Sequence, residues 1–185
     1  MERSAIFAGF GGQGILFAGT ALARAAMGEG LEVLWIPSYG TEMRGGTASC
    51  TVIVASETIG SPIVDKADAV VALNPPSLAK FEGVVAPGGL LVLNTTLIEA
   101  EPRRTDIEVV AVPGTALARA AGDDRLVSVV ALGALLARRP IVSLGAMRAA
   151  IEAMVQAKRP EILAADLAAL EAGYESARIG GAVPA

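Results

Sequence analysis

The 185-residue chain has no histidine and a single cysteine, Cys50. Without histidine it lacks the commonest general base and metal ligand. One thiol can neither close an intrachain disulfide nor supply the four thiolates that an iron–sulfur cluster normally takes. Aromatic residues make up only 4% of the chain, too few to build stacking platforms for bases. A net charge of −4 and an isoelectric point near 4.9 point the same way, so no nucleic-acid partner is expected. The longest apolar run, residues 126–137, is too short to cross a bilayer, so no membrane partner is expected. No secretory leader precedes the first strand-like run, which together with the thiol count implies a cytoplasmic location. Patterns such as H-E-x-x-H, C-x-x-C and G-x-S-x-G are missing. As a self-contained enzyme the chain is poorly equipped.

Small apolar side chains are plentiful instead. Hydrophobic residues are 53% and charged residues 18%, below the usual quarter. So apolar a chain either packs very compactly or covers surface against a partner, a second copy being one possibility when it is isolated. Its length suits one domain, expected over residues 1–178, with a flexible tail at 179–185.

The apolar periodicity alternates between strand and helix. Residues 5–8 read as a buried strand, and a helix over 13–27 places Ile15, Ala18, Leu22 and Ala26 on one stripe. A second strand at 31–36 is expected to end at Pro37. Residues 48–55 then alternate between two faces. The segment between them is rich in glycine and too short for a helical crossover, so at least one antiparallel element is expected there. Strands at 68–73, 90–93 and 107–112 follow, with short helices at 75–81 and 114–121. Three helices close the chain. The first, over 126–138, is apolar nearly all round. The second starts after Ser143 with Met147, Ile151, Met154 and Val155 inward. The third starts near Pro160 with Leu163, Leu167, Leu170 and Tyr174 on one face. The pattern specifies an α/β fold: a single three-layer open sheet, mostly parallel with an antiparallel element, and helices on both faces.

The most informative junction is Gly9-Phe10-Gly11-Gly12-Gln13-Gly14, where a strand runs through a glycine-rich turn into a helix. The first-turn amides of a helix have no intrahelical partner and form an anion site. Glycines let a backbone approach a phosphate closely. The spacing matches the dinucleotide fingerprint G-x-G-x-x-G. That fingerprint also needs an acid at the end of the second strand, whereas Glu32 stands at its start. The lysine and hydroxyl of a Walker A loop are missing too. A nicotinamide cofactor, tight packing alone, and another phosphate-bearing ligand all remain open. A second unusual segment is the loop from Ser38 to Thr47, where Arg44 beside Gly45 and Gly46 could pair with a phosphate, or simply with Glu42. Cys50 reads as core, and Asp123-Asp124 as a helix start. Arg103-Arg104 and Arg138-Arg139 read as solvated, or as a contact for a further phosphate.

Taken together, Gly9 to Ile15 and the run Tyr39-Gly40-Thr41-Glu42-Met43-Arg44-Gly45-Gly46-Thr47 resemble the gamma subunit, or domain III, of 2-oxoacid:ferredoxin oxidoreductases. Ile59-Gly60-Ser61-Pro62 and Asp68 to Asn74 sit where that family has similar runs. The resemblance covers residues 4–180 and departs at Thr41, where family members usually carry proline. It implies a subunit of an oxidoreductase complex that decarboxylates a 2-oxoacid, passes electrons to ferredoxin and forms an acyl-coenzyme A. Thiamine pyrophosphate with Mg and the [4Fe–4S] clusters would belong to partner subunits. Coenzyme A would lie partly on this chain, with Gly11, Gly12, Gln13 and Gly14 on one wall and Arg44, Gly45, Gly46 and Thr47 on the other. Asn74 is a further candidate contact, with capping before Pro75-Pro76 as its other role. Tyr39, Glu42 and Met43 would face the thiamine-bearing partner. No residue of this chain is expected to be catalytic or to hold a metal. The smaller subunit of indolepyruvate ferredoxin oxidoreductase and a stand-alone NAD(P)-dependent oxidoreductase are the alternatives.

Overall fold

A computed structural model describes residues 1–39, 47–156 and 160–179. Six strands form one sheet: β1 (Glu2–Phe10), β2 (Glu32–Tyr39), β3 (Thr47–Ala55), β4 (Ala67–Ala72), β5 (Val85–Asn94) and β6 (Glu108–Val112). The order across the sheet is β2-β3-β1-β4-β5-β6. β3 runs antiparallel to both of its neighbours, and the remaining pairings are parallel. The expected α/β class and its antiparallel element are both present. The glycine-rich segment does join antiparallel strands, since a tight connection cannot carry a parallel crossover.

The helices are α1 (Ile15–Gly28), α2 (Pro75–Phe81), α3 (Gly114–Ala121), α4 (Val127–Arg138), α5 (Leu144–Val155) and α6 (Leu163–Ile179). They cover the two faces unevenly. Alternate strand residues such as Phe7, Val52, Val71 and Val92 pack with α1, α4, α5 and α6 into the larger cluster. Their neighbours Ile6, Val70, Leu91 and Val109 point the other way, where α2 contributes Leu78. Strand periodicity of two feeds both layers, so the central strands β1, β4 and β5 read as nearly continuous apolar runs.

Two sequence expectations need correction. Pro37 does not end the second strand: β2 continues to Tyr39, with Pro37 opposite Cys50. β2 is an edge strand, so a missing N–H can face away from the ladder without cost. The buried stripe of α6 is also rotated from the expected one, running through Asp166, Ala169, Leu170, Gly173 and Ala177. Close helix packing decides this. A Cβ on Gly173 would run into the carbonyl of Val130 on α4, and one on Gly133 into the carbonyl of Leu170. Small residues therefore occupy the contact, and Leu163, Leu167 and Tyr174 sit at its flank only partly buried. α4 is buried from Val127 to Leu136 between α6 and the sheet, which explains its lack of a polar face.

β1, β4, β5 and β6 all end at one edge of the sheet. At that edge the chain passes through turns into the N-termini of α1, α2 and α3. Ligands of open α/β sheets bind along this carboxyl edge.

Candidate functional site

The glycine turn stands at the carboxyl end of β1. Gly12 and Gly14 both have left-handed backbones, with φ +96° and +77°, a conformation that costs a residue with a Cβ about 1–2 kcal/mol. Gly14 caps α1 with its backbone alone, and no acidic side chain occupies the helix's first turn. The positive end of the helix is thus left to an outside anion. A Cβ added at Gly11 or Gly12 would meet no described atom within 4 Å. The turn therefore leaves open space above its backbone among the described residues.

Gln13 does not project into that space. Its Oε1 accepts from the Phe10 amide at 2.7 Å and from Asn74 Nδ2 at 3.3 Å. It therefore locks the turn from beneath. Gly9 makes room for it, because a Cβ there would lie 2.6 Å from Gln13 Oε1 and 2.9 Å from Ile15 Cδ1. Asn74 is fully buried, and its Oδ1 accepts from the Ser77 amide at 2.9 Å, capping α2. Asn74 thus holds two elements together at the edge. Asn94, at the end of β5, repeats the device: its Nδ2 donates to Leu73 O at 3.2 Å and to Thr115 Oγ1 at 3.0 Å. A line of amide side chains ties β1, β4 and β5 together below the turn. Asn94 was not singled out from sequence; an asparagine ending an apolar strand, as Asn74 also does, was the available signal.

Thr47 begins β3 opposite Phe10, which places it beside the glycine turn. Tyr39 ends β2 opposite Ala48 at the same edge. Glu42, Met43, Arg44, Gly45 and Gly46 lie outside the described residues, as does the expected tail from Gly180 onward.

A cleft of about 550 Å³ opens beside the turn, reaching from Gly11 and Gly12 to α4 and α6. Its walls include Phe10, Phe17, Leu126 and Val129, together with Arg125, Ser128 and Asp166. The last three carried no signal in the sequence, because they come from elements more than a hundred residues away. Arg125 is engaged: its guanidinium lies 2.5 Å from Asp123 and holds that carboxyl down at about 2. Among the described residues, attraction for an anion here rests mainly on backbone amides and the α1 dipole.

The other candidates take their simpler roles. Cys50 is buried, its Sγ 3.4 Å from Ile15 O, and burial pushes its thiol up to about 12. Asp123 caps the turn before α4 by accepting from the Arg125 amide. Arg138 pairs with Glu108, where β6 begins, and Arg139 donates to Gly88 O. Both lie at the amino edge of the sheet and cannot reach the glycine turn. Arg104 pairs with Asp106 at 2.5 Å.

Residues 4–176 match the family model of pyruvate ferredoxin/flavodoxin oxidoreductases. The chain belongs to that family. It is 42% identical over 173 residues to the ketoisovalerate oxidoreductase subunit VorA of Methanothermobacter thermautotrophicus, a match covering 92% of this chain and 35% of the relative. The chain thus spans about a third of that relative's length. Among solved structures it is similar to the gamma subunit of a keto/oxoacid ferredoxin oxidoreductase from Geobacter sulfurreducens. That match has a TM-score of 0.85 at 27% identity and covers 96% of this chain and 99% of the other. A 2-oxoglutarate:ferredoxin oxidoreductase from Magnetococcus marinus, solved with 2-oxoglutarate, coenzyme A and succinyl-CoA bound, matches with a TM-score of 0.88 at 26% identity. The aligned region covers 98% of this chain and 32% of that one. The resemblance carried by the two glycine-rich segments is borne out.

Proposed function

We propose that this chain is the gamma-type subunit of a thiamine-dependent 2-oxoacid:ferredoxin oxidoreductase, and that its glycine turn holds phosphates of coenzyme A. The observation that carries the assignment is the turn itself: two left-handed glycines between β1 and α1, with open space above Gly11 and Gly12, at the carboxyl edge of the sheet. Relatives of the same fold are subunits of such oxidoreductases, and the Magnetococcus marinus structure contains coenzyme A.

The residues fit a phosphate-bearing substrate. Backbone N–H groups of Gly11, Gly12 and Gly14 and of the first turn of α1 supply donors, while the Gln13 amide is taken up by Phe10 O at 3.2 Å. Gln13 and Asn74 keep the turn in place without entering the site. Thr47 and the Arg44-Gly45-Gly46 segment would complete the second wall, with Tyr39, Glu42 and Met43 toward the thiamine-bearing partner. With no histidine and one buried cysteine, the chain supplies no ligand set for a cluster. Thiamine pyrophosphate with Mg, which would supply the electron sink for decarboxylation, and the [4Fe–4S] clusters would lie on partner subunits, with ferredoxin as the acceptor.

Topology weighs against the nicotinamide alternative. In dinucleotide-binding sheets the second strand lies next to the first and carries the ribose-binding acid at its carboxyl end. Here β3 separates β2 from β1, and Glu32 stands at the opposite end of β2. The test is acyl-coenzyme A formation by the assembled complex carrying Gly12→Val or Arg44→Ala. A large rise in KM for coenzyme A is expected. Wild-type kinetics in both variants would sink the site assignment. The number of partner subunits separates this reading from the indolepyruvate type.

A further inference from the structure

Two polar atoms buried in the wall of the cleft have no hydrogen-bond partner among the described residues: Ser128 Oγ and Asp166 Oδ2. Ser128 is 1% exposed and Asp166 3%. Leaving a buried hydroxyl or carboxyl unpaired is costly, so such atoms call for an outside partner. A serine in the first turn of a helix often bonds locally to backbone. Ser128 does not. Its Oγ instead packs against Gly14, where a Cβ would collide with it. The hydroxyl is therefore adjacent to the amides of the glycine turn. Asp166 stands in the first turn of α6. Its carboxyl is pushed above the usual range, first by burial and second by the charge of Asp123.

We infer that both groups are ligand contacts of the site that begins at the glycine turn. Ser128 donates to an anionic oxygen seated on the turn. Asp166 accepts from an N–H or O–H on an uncharged part of the same ligand, which packs against Phe10, Phe17, Leu126 and Val129. This inference rests on the coenzyme A reading. Two stretches of that substrate offer such a donor beside a phosphate: the adenine amine, and the amides and hydroxyl of the pantetheine arm.

The experiment measures binding of three probes to the full chain: coenzyme A, adenosine 3′,5′-bisphosphate and 4′-phosphopantetheine. KM for coenzyme A in the assembled complex is measured alongside. Ser128→Ala removes only an unpaired atom and is safe for folding. It should weaken coenzyme A by about tenfold or more, as loss of a hydrogen bond to a charged group does. Asp166→Leu should weaken coenzyme A and one of the two fragments by about tenfold, leaving the other fragment unchanged. The affected fragment identifies which end of the substrate enters the cleft. Asp166→Leu should also raise the thermal midpoint of the ligand-free chain, because it removes a buried unpaired carboxyl. A carboxyl with a purely structural role would give a lower midpoint, and that result overturns the assignment of Asp166. Coenzyme A affinity within twofold of wild type in both variants overturns the whole inference. If Gly11→Ala raises KM while these variants do not, the inference alone fails. If none of the three changes coenzyme A binding or KM, the coenzyme A reading fails with it.

Discussion

An alanine series through the glycine turn separates what the fold needs from what the ligand needs. At Gly14, alanine meets two penalties: the left-handed backbone at φ +77°, and a Cβ pressed against Ser128 Oγ and 3.2 Å from Arg125 O. Backbone strain of about 1–2 kcal/mol and overpacking of about 1–3 kcal/mol together give roughly 2–5 kcal/mol. For a chain of this size each kcal/mol moves the thermal midpoint by about 2–4 °C, so Gly14→Ala should lower it by roughly 4–20 °C. Gly12 carries only the strain, since its Cβ meets nothing described within 4 Å; Gly12→Ala should cost about 1–2 kcal/mol, or roughly 2–8 °C. Gly11 has neither a positive φ nor a described neighbour, and Gly11→Ala should change stability by less than about 0.5 kcal/mol. For coenzyme A, however, Gly11→Ala and Gly12→Ala should both raise KM, by roughly tenfold to a hundredfold if one charge-assisted contact is lost. Differential scanning calorimetry of the purified chain and steady-state kinetics of the complex supply the two scales. A Gly11→Ala protein that is markedly destabilised, or that shows a wild-type KM, would refute the reasoning.

Other perturbations give equally definite outcomes. Gly173→Ala pushes a methyl into the Val130 carbonyl and forces α4 and α6 apart; calorimetry should show a loss of about 3 kcal/mol or more, or no folded protein, without any specific effect on coenzyme A at temperatures where the variant is folded. Gln13→Ala strands the Phe10 amide and should destabilise by about 1–3 kcal/mol, read by urea unfolding; Gln13→Glu keeps the acceptor and should recover much of that. Cys50, with its thiol pushed up to about 12 by burial, should resist a maleimide at pH 8 in the native chain and react fully once unfolded. Asp166 has a raised value when folded, so above pH of about 4 the folded chain keeps a proton that the unfolded chain has lost. Stability should therefore fall as pH rises from about 4 through that raised value, and Asp166→Leu should remove that fall.

Much of the architecture was legible because period-two and period-3.6 apolar patterns reported it directly. The strands through Ala5–Ala8 and Asp68–Leu73, the short helix after Asn74 and the buried α4 all follow from such patterns. The antiparallel β3 followed from loop length, a constraint as physical as periodicity. Pro37 misled because proline reads as a strand stop unless the strand is known to lie at an edge, and edge position is a property of the whole sheet. The face of α6 was misread because large residues signal burial, whereas close helix packing here selects Gly173 and Ala177. At the site, glycines announced themselves by spacing, Gln13 by lying among them, and Asn74 by ending an apolar strand. The side chains of Gln13 and Asn74 brace the turn, and for Asn74 this includes the capping role expected before Pro75-Pro76. Ser128 and Asp166 could not be seen, since only the packing of α4 and α6 brings Ser128 to Gly14 and Asp166 to the same cleft.

The most direct test of the account is purification of this chain, tagged, from its native cells under anaerobic conditions. Ferredoxin reduction by the purified material is then measured with a set of 2-oxoacids, with and without coenzyme A. The account predicts partner subunits containing thiamine pyrophosphate and iron, and 2-oxoacid-dependent ferredoxin reduction that requires coenzyme A for turnover. A chain recovered without such subunits, or a complex whose turnover ignores coenzyme A, would contradict it.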